Sequence, residues 1–527
     1  MASPIRNSYD EFLYPSALYP QTHPDRLATL ATLLGKGPAP VERCRVLELG
    51  CGDGSNLVAM AFSLPSSQFV GIDLAERPIK KGRELIDSLA LPNVLLRQLD
   101  LLQAPEDLGR FDYIIAHGLY SWVPSAVRDK LLALCGTHLA EQGVAYVSYN
   151  AYPGNHLRDL ARGMMRYHVA HFEGPEHQIR QGRALLKFLA EAKPEPDLYH
   201  RVLRQELERS LEYTDPGFFH DDLSATNQPL YFHEFMEHAA QHHLQYLAEA
   251  DFADMQEDEF PEPVRVVLRE LEGNDVIARE QYLDFLKGRA FRQTLLCRQE
   301  VKLDRRLKPE RTFRLQVASP ARPVSSACQV STSVMEDFGG AKGAIIATSR
   351  PTVKAALLRL GQAWPRSVPF AELLHARASF DAAAAPLSPE EAKEEALALG
   401  EFLLRAYAVN FLELQTHPSQ FVTKVSERPA ASPLARRQLQ VASVVATLRH
   451  TALKIEDSLG QNLLRLLDGT RDRQDLLREL KELVKSGAAV IRQDGQPVRD
   501  LEKAQAIVAS ELEQSLEALA RSALLVA

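Results

Sequence analysis

The sequence predicts an α/β protein whose first domain is built on a doubly wound, parallel sheet. Two observations carry this prediction. Between residues 45 and 150, apolar runs alternate with helix-like segments, which is typical of strand–helix–strand units and a parallel sheet. Most of the runs are continuously apolar rather than alternating, as in strands that are buried on both faces. We therefore expect a sheet with helices on both sides.

The elements of this domain follow in order along the chain. The predicted strands are RVLELG, QFVGID, VLLRQLD, FDYIIAHG and GVAYVSYN. The helical segments between them are SNLVAMAFSL, RPIKKGRELIDSLA and SAVRDKLLALCGTHLA. A glycine-rich turn, LGCGDGS, joins the first strand to the first of these helices.

Residues 155–300 are predicted to be mostly helical, because apolar residues recur there at helical spacing. The segments include LYFHEFMEHAAQHHLQYLAEA and DFLKGRAFRQTLLC. Residues 303–345 lose this periodicity and contain several prolines and the pair Gly339–Gly340, so we expect a boundary there. Two later units have helix–helix–helix–strand order, which suggests winged-helix-like modules. The predicted domains are 1–175, 176–302 (helical), a linker at 303–345, 346–430 and 446–527.

Length and composition narrow the class of protein. A chain of 527 residues is expected to form about three to four domains. The net charge of −8 argues against a dedicated nucleic-acid binder, and no apolar run is long enough to insert into a membrane. The five cysteines form no C-x-x-C pair, which argues against a disulfide framework or a zinc site. We expect a cytoplasmic protein.

The turn after the first strand carries glycines at GxGxG spacing and two carboxylates. This spacing matches neither the GxGxxG dinucleotide motif nor a phosphate-binding P-loop. Glu48 lies in the strand and Asp53 in the loop, where carboxylates would repel a pyrophosphate and favour a cation. S-adenosyl-L-methionine carries a sulfonium and an ammonium group, so it suits this loop.

The ends of the next strands extend the same prediction. Asp73 ends the second strand and is placed to accept both ribose hydroxyls. Asp100 ends the third, with Leu101 beside the adenine, and His117–Gly118 follow the fourth near the methyl group. Each position alone has a structural explanation: a turn, a helix cap or a polar core residue. Together they favour a cofactor site, whose predicted contacts are Tyr14, Thr22, His23, Glu48, Gly50, Cys51, Gly52, Gly54, Asn56, Asp73, Leu74, Asp100, Leu101, His117 and Gly118.

Four longer segments resemble one bacterial family. They are YPSALYPQTHPDRLATLATLLG, HGLYSWVP, VSYNAYPG and HDDLSATNQPLYFHEFMEHAAQHHLQYLAEADF. They resemble the methyltransferase regulatory domain-containing proteins, which are class I S-adenosylmethionine-dependent methyltransferases and include rickettsial outer-membrane-protein lysine methyltransferases. The resemblance covers about Ser8–Cys297 and continues more weakly to the C-terminus. It implies a Rossmann-like methyltransferase domain, a regulatory middle domain, a C-terminal winged-helix-type domain, methylation of protein lysines, and dimers in some members.

Two further expectations come from the resemblance. Gln21–Arg26 would fold across the cofactor as a lid, with Thr22 and His23 in contact with it; the alternative is a helix start, since Thr22 is followed by Pro24. Asn155 stands where related sequences are expected to carry an aromatic residue, a difference that would alter the substrate channel.

The predicted acceptor site lies after the fourth and fifth strands. An amine acceptor must be neutral to attack the methyl carbon, and aromatic faces suit both an ammonium and a methylated product. The predicted catalytic residues are His117, Tyr120, Trp122, Tyr149, Asn150 and Tyr152. Core packing is the alternative for each aromatic residue. A small-molecule amine acceptor and a non-catalytic cofactor-binding protein also stay open, and the acceptor itself is not specified by the sequence.

The middle segment HEFMEHAAQHH is rich in histidine. His238 and His242 have the spacing of metal ligands on a helix, but the H-E-x-x-H motif is absent. We interpret His233, His238, His242 and His243 as a polar helix face and predict no metal. Tyr231, Phe232 and Phe235 are expected to form the apolar stripe of this segment.

Overall fold

A computed structural model describes residues 8–15, 17–273, 275–325, 328–381, 386–418, 421–493 and 496–527. These residues fall into two compact units. The first comprises residues up to 17, 43–58 and 67–302, and the second comprises 18–42, 59–66 and 303–527.

The first unit is built around a sheet that has seven strands within the described residues, in the order β3-β2-β1-β4-β5-β7-β6. The strands β1 to β5 run parallel, whereas β7 is antiparallel to both β5 and β6. Their bounds are β1 (Arg45–Leu49), β2 (Gln68–Asp73), β3 (Val94–Gln98), β4 (Phe111–Ala116), β5 (Leu139–Asn150), β6 (Leu244–Glu249) and β7 (Phe291–Arg298). The predicted α/β class and the five parallel strands are confirmed.

Helices precede, connect and follow these strands. The helices up to residue 287 are α1 (Ser8–Glu11), α2 (Pro24–Leu33), α3 (Ser55–Ser63), α4 (Glu76–Leu89), α5 (Ser125–His138), α6 (Asn155–Val169), α7 (Pro175–Ala190), α8 (Leu198–Glu212), α9 (Asp215–Phe218), α10 (Phe232–Gln241), α11 (Glu262–Glu272) and α12 (Val276–Lys287). The helix α4 packs tightly on the glycine-rich turn, since a Cβ at Gly82 would lie 2.2 Å from the Asp53 carbonyl oxygen. This contact fixes the loop that follows β1.

The core of the sheet explains why β1 and β4 read as continuous apolar runs. Leu47, Leu49, Ile114 and Ala116 are completely buried. They belong to a cluster that also includes Phe235 from the middle segment. Since both faces of these strands are covered, most positions along them favour an apolar residue; Glu48 of β1 is an exception.

The prediction of a mostly helical middle segment is wrong at two places. In LYFHEFMEHAAQHHLQYLAEA the helix α10 ends at Gln241, and LQYLAE forms β6. In DFLKGRAFRQTLLC the left-handed Gly288 ends α12, and FRQTLLCR forms β7. Short apolar runs fit a buried strand as well as a helix, and pairing between β5, β7 and β6 decides between them.

The apolar stripe of α10 was predicted correctly in part. Phe232 and Phe235 are completely buried, which confirms them as core residues. Tyr231 is only half-buried, because it precedes the helix as its N-cap. Its ring lies 5.5 Å from the ring of Tyr152.

Besides α2 and the C-terminal part of α3, the second unit contains the strands and helices that follow residue 302. In chain order they are β8 (Gln316–Ala318), β9 (Arg322–Pro323), β10 (Glu336–Gly339), β11 (Ile345–Thr348), α13 (Pro351–Ala363), β12 (Val368–Pro369), α14 (Phe370–Leu374), α15 (Pro389–Ala408), β13 (Glu413–Gln415), α16 (Pro433–Gln438), β14 (Val444–Ala446), β15 (Ala452–Lys454), α17 (Ser458–Leu466), α18 (Arg473–Lys485), β16 (Arg492–Gln493), β17 (Gln496–Pro497) and α19 (Leu501–Arg521). The segment 303–345, predicted as a linker, contains β8 to β10, and β8 pairs with β12 and β13.

The C-terminal part of the second unit has its own core. Leu464, Leu476, Leu480, Val508 and Leu516 from α17, α18 and α19 pack together. The hairpin β14–β15 precedes these helices, and the hairpin β16–β17 stands before α19. This is a winged helix domain, as the sequence predicted for the C-terminus. Across the described part of the chain, no helix combines the length and the apolar character that crossing a membrane requires.

Candidate active site

The glycine-rich turn after β1 is fixed by hydrogen bonds to β2. The Gly50 N–H donates to the Ile72 carbonyl at 2.8 Å, and the Gly52 N–H donates to Asp73 Oδ2 at 2.8 Å. Gly52 has a φ of +55°, and a Cβ there would have no heavy atom within 4 Å. The turn therefore needs glycine for its backbone conformation and leaves open space above it.

Gly54 is required for packing as well as for conformation. Its φ is +69°, and a Cβ at this position would lie 2.7 Å from Leu96 Cδ1. The side chain of Cys51 packs on β2, since a Cβ at Gly71 would lie 2.7 Å from Cys51 Sγ. The Cys51 side chain thus contacts the sheet.

Glu48 is the most unusual group of the site. Its side chain is 3% exposed, and Oε1 accepts a hydrogen bond from Asn56 Nδ2 at 2.9 Å. Oε2 is buried and has no hydrogen-bonding partner among the described residues. Burial raises the pKa of Glu48 to about 8, and the charges of Asp73 and Asp53 act in the same direction. The carboxyl group is therefore mostly protonated at neutral pH.

Asp53 is compensated by a residue that the sequence did not single out. Its Oδ2 lies 2.8 Å from Lys81 Nζ on α4, and its Oδ1 accepts from the Ser55 N–H at 3.1 Å. The prediction that both carboxylates act as free negative charges, which repel a pyrophosphate and favour a cation, is therefore wrong for the ligand-free protein. One carboxylate is paired with a lysine and the other holds a proton.

Asp73 and Asp100 lie at the carboxyl ends of β2 and β3. Asp73 Oδ1 accepts from the Ala75 N–H at 2.8 Å, so Asp73 binds backbone groups on both sides, and burial raises its pKa. Asp100 Oδ1 accepts from the Leu102 N–H at 3.0 Å and caps a short 3-10 turn. Leu74 is 56% exposed beside Asp73, whereas Leu101 is buried.

His117 and Gly118 follow β4 directly. His117 Nδ1 lies 2.8 Å from the hydroxyl of Tyr146, and the Gly118 N–H donates to Ser148 Oγ at 2.8 Å. Burial lowers the pKa of His117 to about 4, so its imidazole is neutral at physiological pH. Tyr146 could not be recognised from the sequence, because it is one position in a buried strand.

Two of the predicted aromatic residues lie in the protein core. Tyr120 and Tyr149 are each 1% exposed, and both pack against the ring of Phe235. The hydroxyl of Tyr120 lies 2.7 Å from His238 Nδ1, and that of Tyr149 lies 3.0 Å from Thr294 Oγ1. Core packing, the alternative considered for each aromatic residue, describes these two.

Tyr152 and Asn150 belong to a polar network near the end of β5. The Tyr152 hydroxyl donates to Asp159 Oδ2 at 3.2 Å, and its ring stacks on His156 at 4.0 Å. Asn150 Nδ2 donates to Asn227 Oδ1 at 2.7 Å. Trp122 is half-buried in the 3-10 turn that precedes α5.

Asn155, where an aromatic residue was expected, is a buried structural residue. It is the first residue of α6 and is 1% exposed. Its Nδ2 donates to the Ala290 carbonyl at 3.1 Å. The side chain thus joins α6 to the segment that precedes β7.

The N-terminal segment of the first unit contains the predicted contact Tyr14 and also Tyr9, which the sequence did not indicate. The Tyr14 hydroxyl donates to Asp221 Oδ2 at 3.2 Å, and the Tyr9 ring stacks on His220 at 4.2 Å. The pKa of Tyr9 is raised by burial and by the charges of Asp221 and Asp73. The charge of the predicted ribose ligand Asp73 therefore acts on Tyr9, although the short helix of Tyr9 has no motif that would reveal this.

Thr22 and His23 belong to the second unit. His23 Nδ1 accepts from the Asp25 N–H at 3.2 Å and so caps α2, which begins at Pro24. Burial lowers the pKa of His23 to about 4, and its ring lies 5.3 Å from that of His450. The segment is thus a helix start, with His23 as the cap, and its contact with the cofactor stays a prediction.

These residues fit S-adenosyl-L-methionine. The buried, unpartnered Oε2 of Glu48 becomes an acceptor for a cationic group when the carboxyl group loses its proton. The open space above Gly52 admits a ligand close to the backbone. The carboxylate of Asp73 is held at the end of β2, and the exposed Leu74 beside it provides apolar surface. Ligands of open α/β sheets bind at this edge.

Comparison with known families agrees with the order of these elements. Three families match parts of the chain. The family described as "Methyltransferase domain" matches residues 46–143, the "Predicted methyltransferase regulatory domain" matches residues 215–298, and the "PKMT, C-terminal winged helix domain" matches residues 427–524. The regulatory match contains α10, β6 and β7, so part of it completes the methyltransferase sheet.

The chain is also similar over its whole length to known proteins. An uncharacterized protein of Rickettsia prowazekii is 31% identical over 536 residues, covering 99% of this chain and 94% of the relative. The structure of PKMT2 from Rickettsia typhi matches with a TM-score of 0.86 and 27% identity, covering 98% of this chain and 100% of that one. A second structure, of PKMT2 in complex with AdoHcy, matches with the same TM-score and 28% identity.

The sheet order, the glycine turn and these matches define the class: the chain is an S-adenosylmethionine-dependent methyltransferase. It belongs to the family of methyltransferase regulatory domain-containing proteins. The cofactor and the C-terminal winged helix expected from the resemblance are thereby confirmed.

Proposed function

We propose that this enzyme transfers methyl groups from S-adenosyl-L-methionine to lysine side chains of proteins, with S-adenosyl-L-homocysteine as the product. The observation that carries the proposal is the full-length similarity to PKMT2, a name that denotes a protein lysine methyltransferase, together with the match to the winged helix domain of that group. The polar network near the end of β5 supports an amine acceptor.

The acceptor must reach the site as a neutral amine. Free lysine has a pKa of about 10.4, so the site has to favour loss of its proton. Asn150, Asn227 and Asp159 present carbonyl or carboxylate oxygens that accept hydrogen bonds from an amine. We assign Tyr152 and Asn150 to orienting the amine, and the ring of Tyr152 to contacting its carbon chain.

His117 has a different role in this proposal. When bound, S-adenosyl-L-methionine supplies the methyl group from a positively charged sulfur. A protonated imidazole next to that charge would be repelled. Because burial lowers the pKa of His117 to about 4, the ring stays neutral and can lie beside the sulfonium. Tyr146 holds it there through Nδ1.

We assign cofactor binding to the turn Gly50–Gly54 and to the carboxylates that surround it. Asp73 would bind the ribose, Asp100 and Leu101 the adenine, and Glu48 the cationic part. Asn56 positions Glu48 through its hydrogen bond to Oε1. Tyr14 is also assigned to this group, as the sequence predicted; its hydroxyl donates to Asp221, and the neighbouring His220 stacks on Tyr9.

Transfer of a heavy methyl group tests the acceptor. The purified enzyme is incubated with deuterium-labelled cofactor and host-cell lysate, and the digested proteins are analysed by mass spectrometry. We expect labelled lysines with the wild type and none with Asp73→Ala, whose fold is checked by circular dichroism. Label that appears only in molecules passing a small-pore filter would instead show a small-molecule acceptor, and no transfer at all would favour a non-catalytic binding protein.

The resemblance also predicts a homodimer, and the composition of the chain predicts a cytoplasmic location. Light scattering tests the first, since a dimer has twice the chain mass of 58.8 kDa. All five cysteines are free thiols, which supports a reducing compartment.

A further inference from the structure

Three potential metal ligands meet at the contact between α5 and α10. Asp129 of α5 places Oδ1 3.2 Å from His238 Nε2 and 2.8 Å from His242 Nε2. The ligand atoms of all three residues lie within 4.8 Å of one another. The two histidines are one helical turn apart, so they face the same side, and the carboxylate comes from a different helix.

These distances are close to those of a metal centre. A tetrahedral ion with bonds of about 2.0–2.1 Å to nitrogen and oxygen separates its ligand atoms by roughly 3.3 Å. The two oxygen–nitrogen distances of 3.2 and 2.8 Å therefore need little change to accommodate an ion. Two imidazoles and one carboxylate form a donor set that zinc and its neighbours accept.

A second group orients one of the ligands. The Tyr120 hydroxyl lies 2.7 Å from His238 Nδ1, and Tyr120 itself is buried. This hydrogen bond fixes the ring and leaves Nε2 facing Asp129. Histidine ligands are commonly held in this way through their other ring nitrogen.

The surroundings of this cluster give a metal ion access and favour its positive charge. Asp129 is 59% exposed, so water can complete the coordination. A cavity of about 570 Å³ adjoins the cluster and is lined by His238, Glu234 and Arg128, among others. The negative charge of Glu234 favours a bound cation. The positive charge of Arg128, which lies over the ring of Tyr120, opposes it. With Asp129 included, negative groups outnumber positive ones.

We propose that Asp129, His238 and His242 bind one divalent transition-metal ion of the zinc type. The ion would fasten α5 of the methyltransferase domain to α10 of the regulatory segment, in contact with the turn that carries Tyr120. This role is separate from methyl transfer. The sequence favoured a polar helix face here because it showed only the two histidines, and the third ligand is supplied by the fold.

Zinc binding by the tag-free, full-length protein tests this proposal. The protein is titrated with zinc chloride in competition with a chromophoric chelator. We expect one tightly bound zinc per chain, and a loss of affinity of at least about tenfold in His242→Ala and in Asp129→Asn. The matched control is His243→Asn, which changes the neighbouring histidine; asparagine tolerates the φ of +58° at that position. This control should bind zinc like the wild type.

Two of the variants keep the test decisive. Asp129→Asn retains a hydrogen-bonding side chain of the same size, so it decides the outcome if His242→Ala does not fold. Tyr120→Phe removes the hydrogen bond to His238 and is expected to weaken zinc binding about tenfold. Absence of stoichiometric zinc binding in the wild type, or equal binding by all variants, would overturn the proposal and leave the three residues as a hydrogen-bonded contact between helices.

Discussion

Replacing Glu48 by glutamine should stabilise the ligand-free enzyme relative to the wild type, and this gain should grow as the pH rises. Glutamine keeps the shape of the side chain and the carbonyl that accepts from Asn56, but it cannot ionise. In the wild type the pKa of Glu48 is raised by burial from 4.5 to about 8. Between pH 4.5 and about pH 8, the folded state therefore retains a proton that the unfolded state has lost.

The sign and size of the effect follow from proton linkage. Because the unfolded state binds fewer protons in this window, the stability of the wild type falls as the pH rises through it, by about 1.4 kcal/mol per pH unit. From pH 5 to pH 8 we expect the variant to gain roughly 3 kcal/mol over the wild type. The amide NH₂ that replaces Oε2 costs about 1–3 kcal/mol if unpaired, but this cost is the same at every pH.

Hydrogen exchange of peptides from β1 and β2 measures this difference in stability locally, within the methyltransferase sheet and independently of unfolding elsewhere in the chain. The free energy of opening is compared between the wild type and Glu48→Gln at several pH values. The control is Glu106→Gln, which changes an exposed glutamate. If the difference between Glu48→Gln and the wild type does not vary with pH, the claim that Glu48 is protonated in the folded protein is refuted.

Three further predictions concern packing, charge and the acceptor site. Gly54→Ala should weaken binding of S-adenosyl-L-homocysteine about tenfold in calorimetry, since the new Cβ meets Leu96 and the φ is positive. Arg292→Met should lower the free energy of unfolding by about 3–5 kcal/mol in denaturation experiments, because Arg292 is buried between three carboxylates that lose their partner. Tyr152→Phe should lower kcat for methyl transfer about tenfold while cofactor affinity stays unchanged, because only the hydroxyl bonded to Asp159 is lost.

Each of these changes has a matched control in the first unit. Gly163→Ala lies in a helix with no atom near the new Cβ, Arg201→Met changes an exposed arginine, and Tyr167→Phe alters a tyrosine that is 79% exposed. Equal effects in a variant and its control would contradict the corresponding prediction. For Tyr152→Phe, an unchanged kcat would remove that residue from the acceptor site.

The parallel part of the sheet could be predicted because its signal is local. The strands β1, β2, β4 and β5 each contain a run of mostly buried apolar residues, and the glycine spacing marks the loop after β1. The edge strand β3 is buried at only two of its five positions. The strands β6 and β7 could not be predicted in the same way. Leu244–Glu249 and Phe291–Arg298 are short apolar runs next to helices. Only the pairing of β7 with β5, and of β6 with β7, makes them strands.

The cofactor was predicted correctly, but part of the electrostatic reason was wrong. The sequence shows Glu48 and Asp53 as two negative charges. It does not show that Lys81 lies 2.8 Å from Asp53 or that burial protonates Glu48. These effects depend on tertiary contacts and burial. The same limit explains why Asp129 was not linked to the histidines of α10.

The central structural claim is that the turn after β1, fixed to Asp73, holds the cofactor. Calorimetric binding of S-adenosyl-L-homocysteine to the wild type, Asp73→Ala and the exposed-loop control Asp107→Ala tests it most directly. We expect one site per chain in the wild type and the control, and affinity at least about 100-fold weaker in a folded Asp73→Ala, since two hydrogen bonds to a charged group are lost. Equal affinity in Asp73→Ala would contradict the claim.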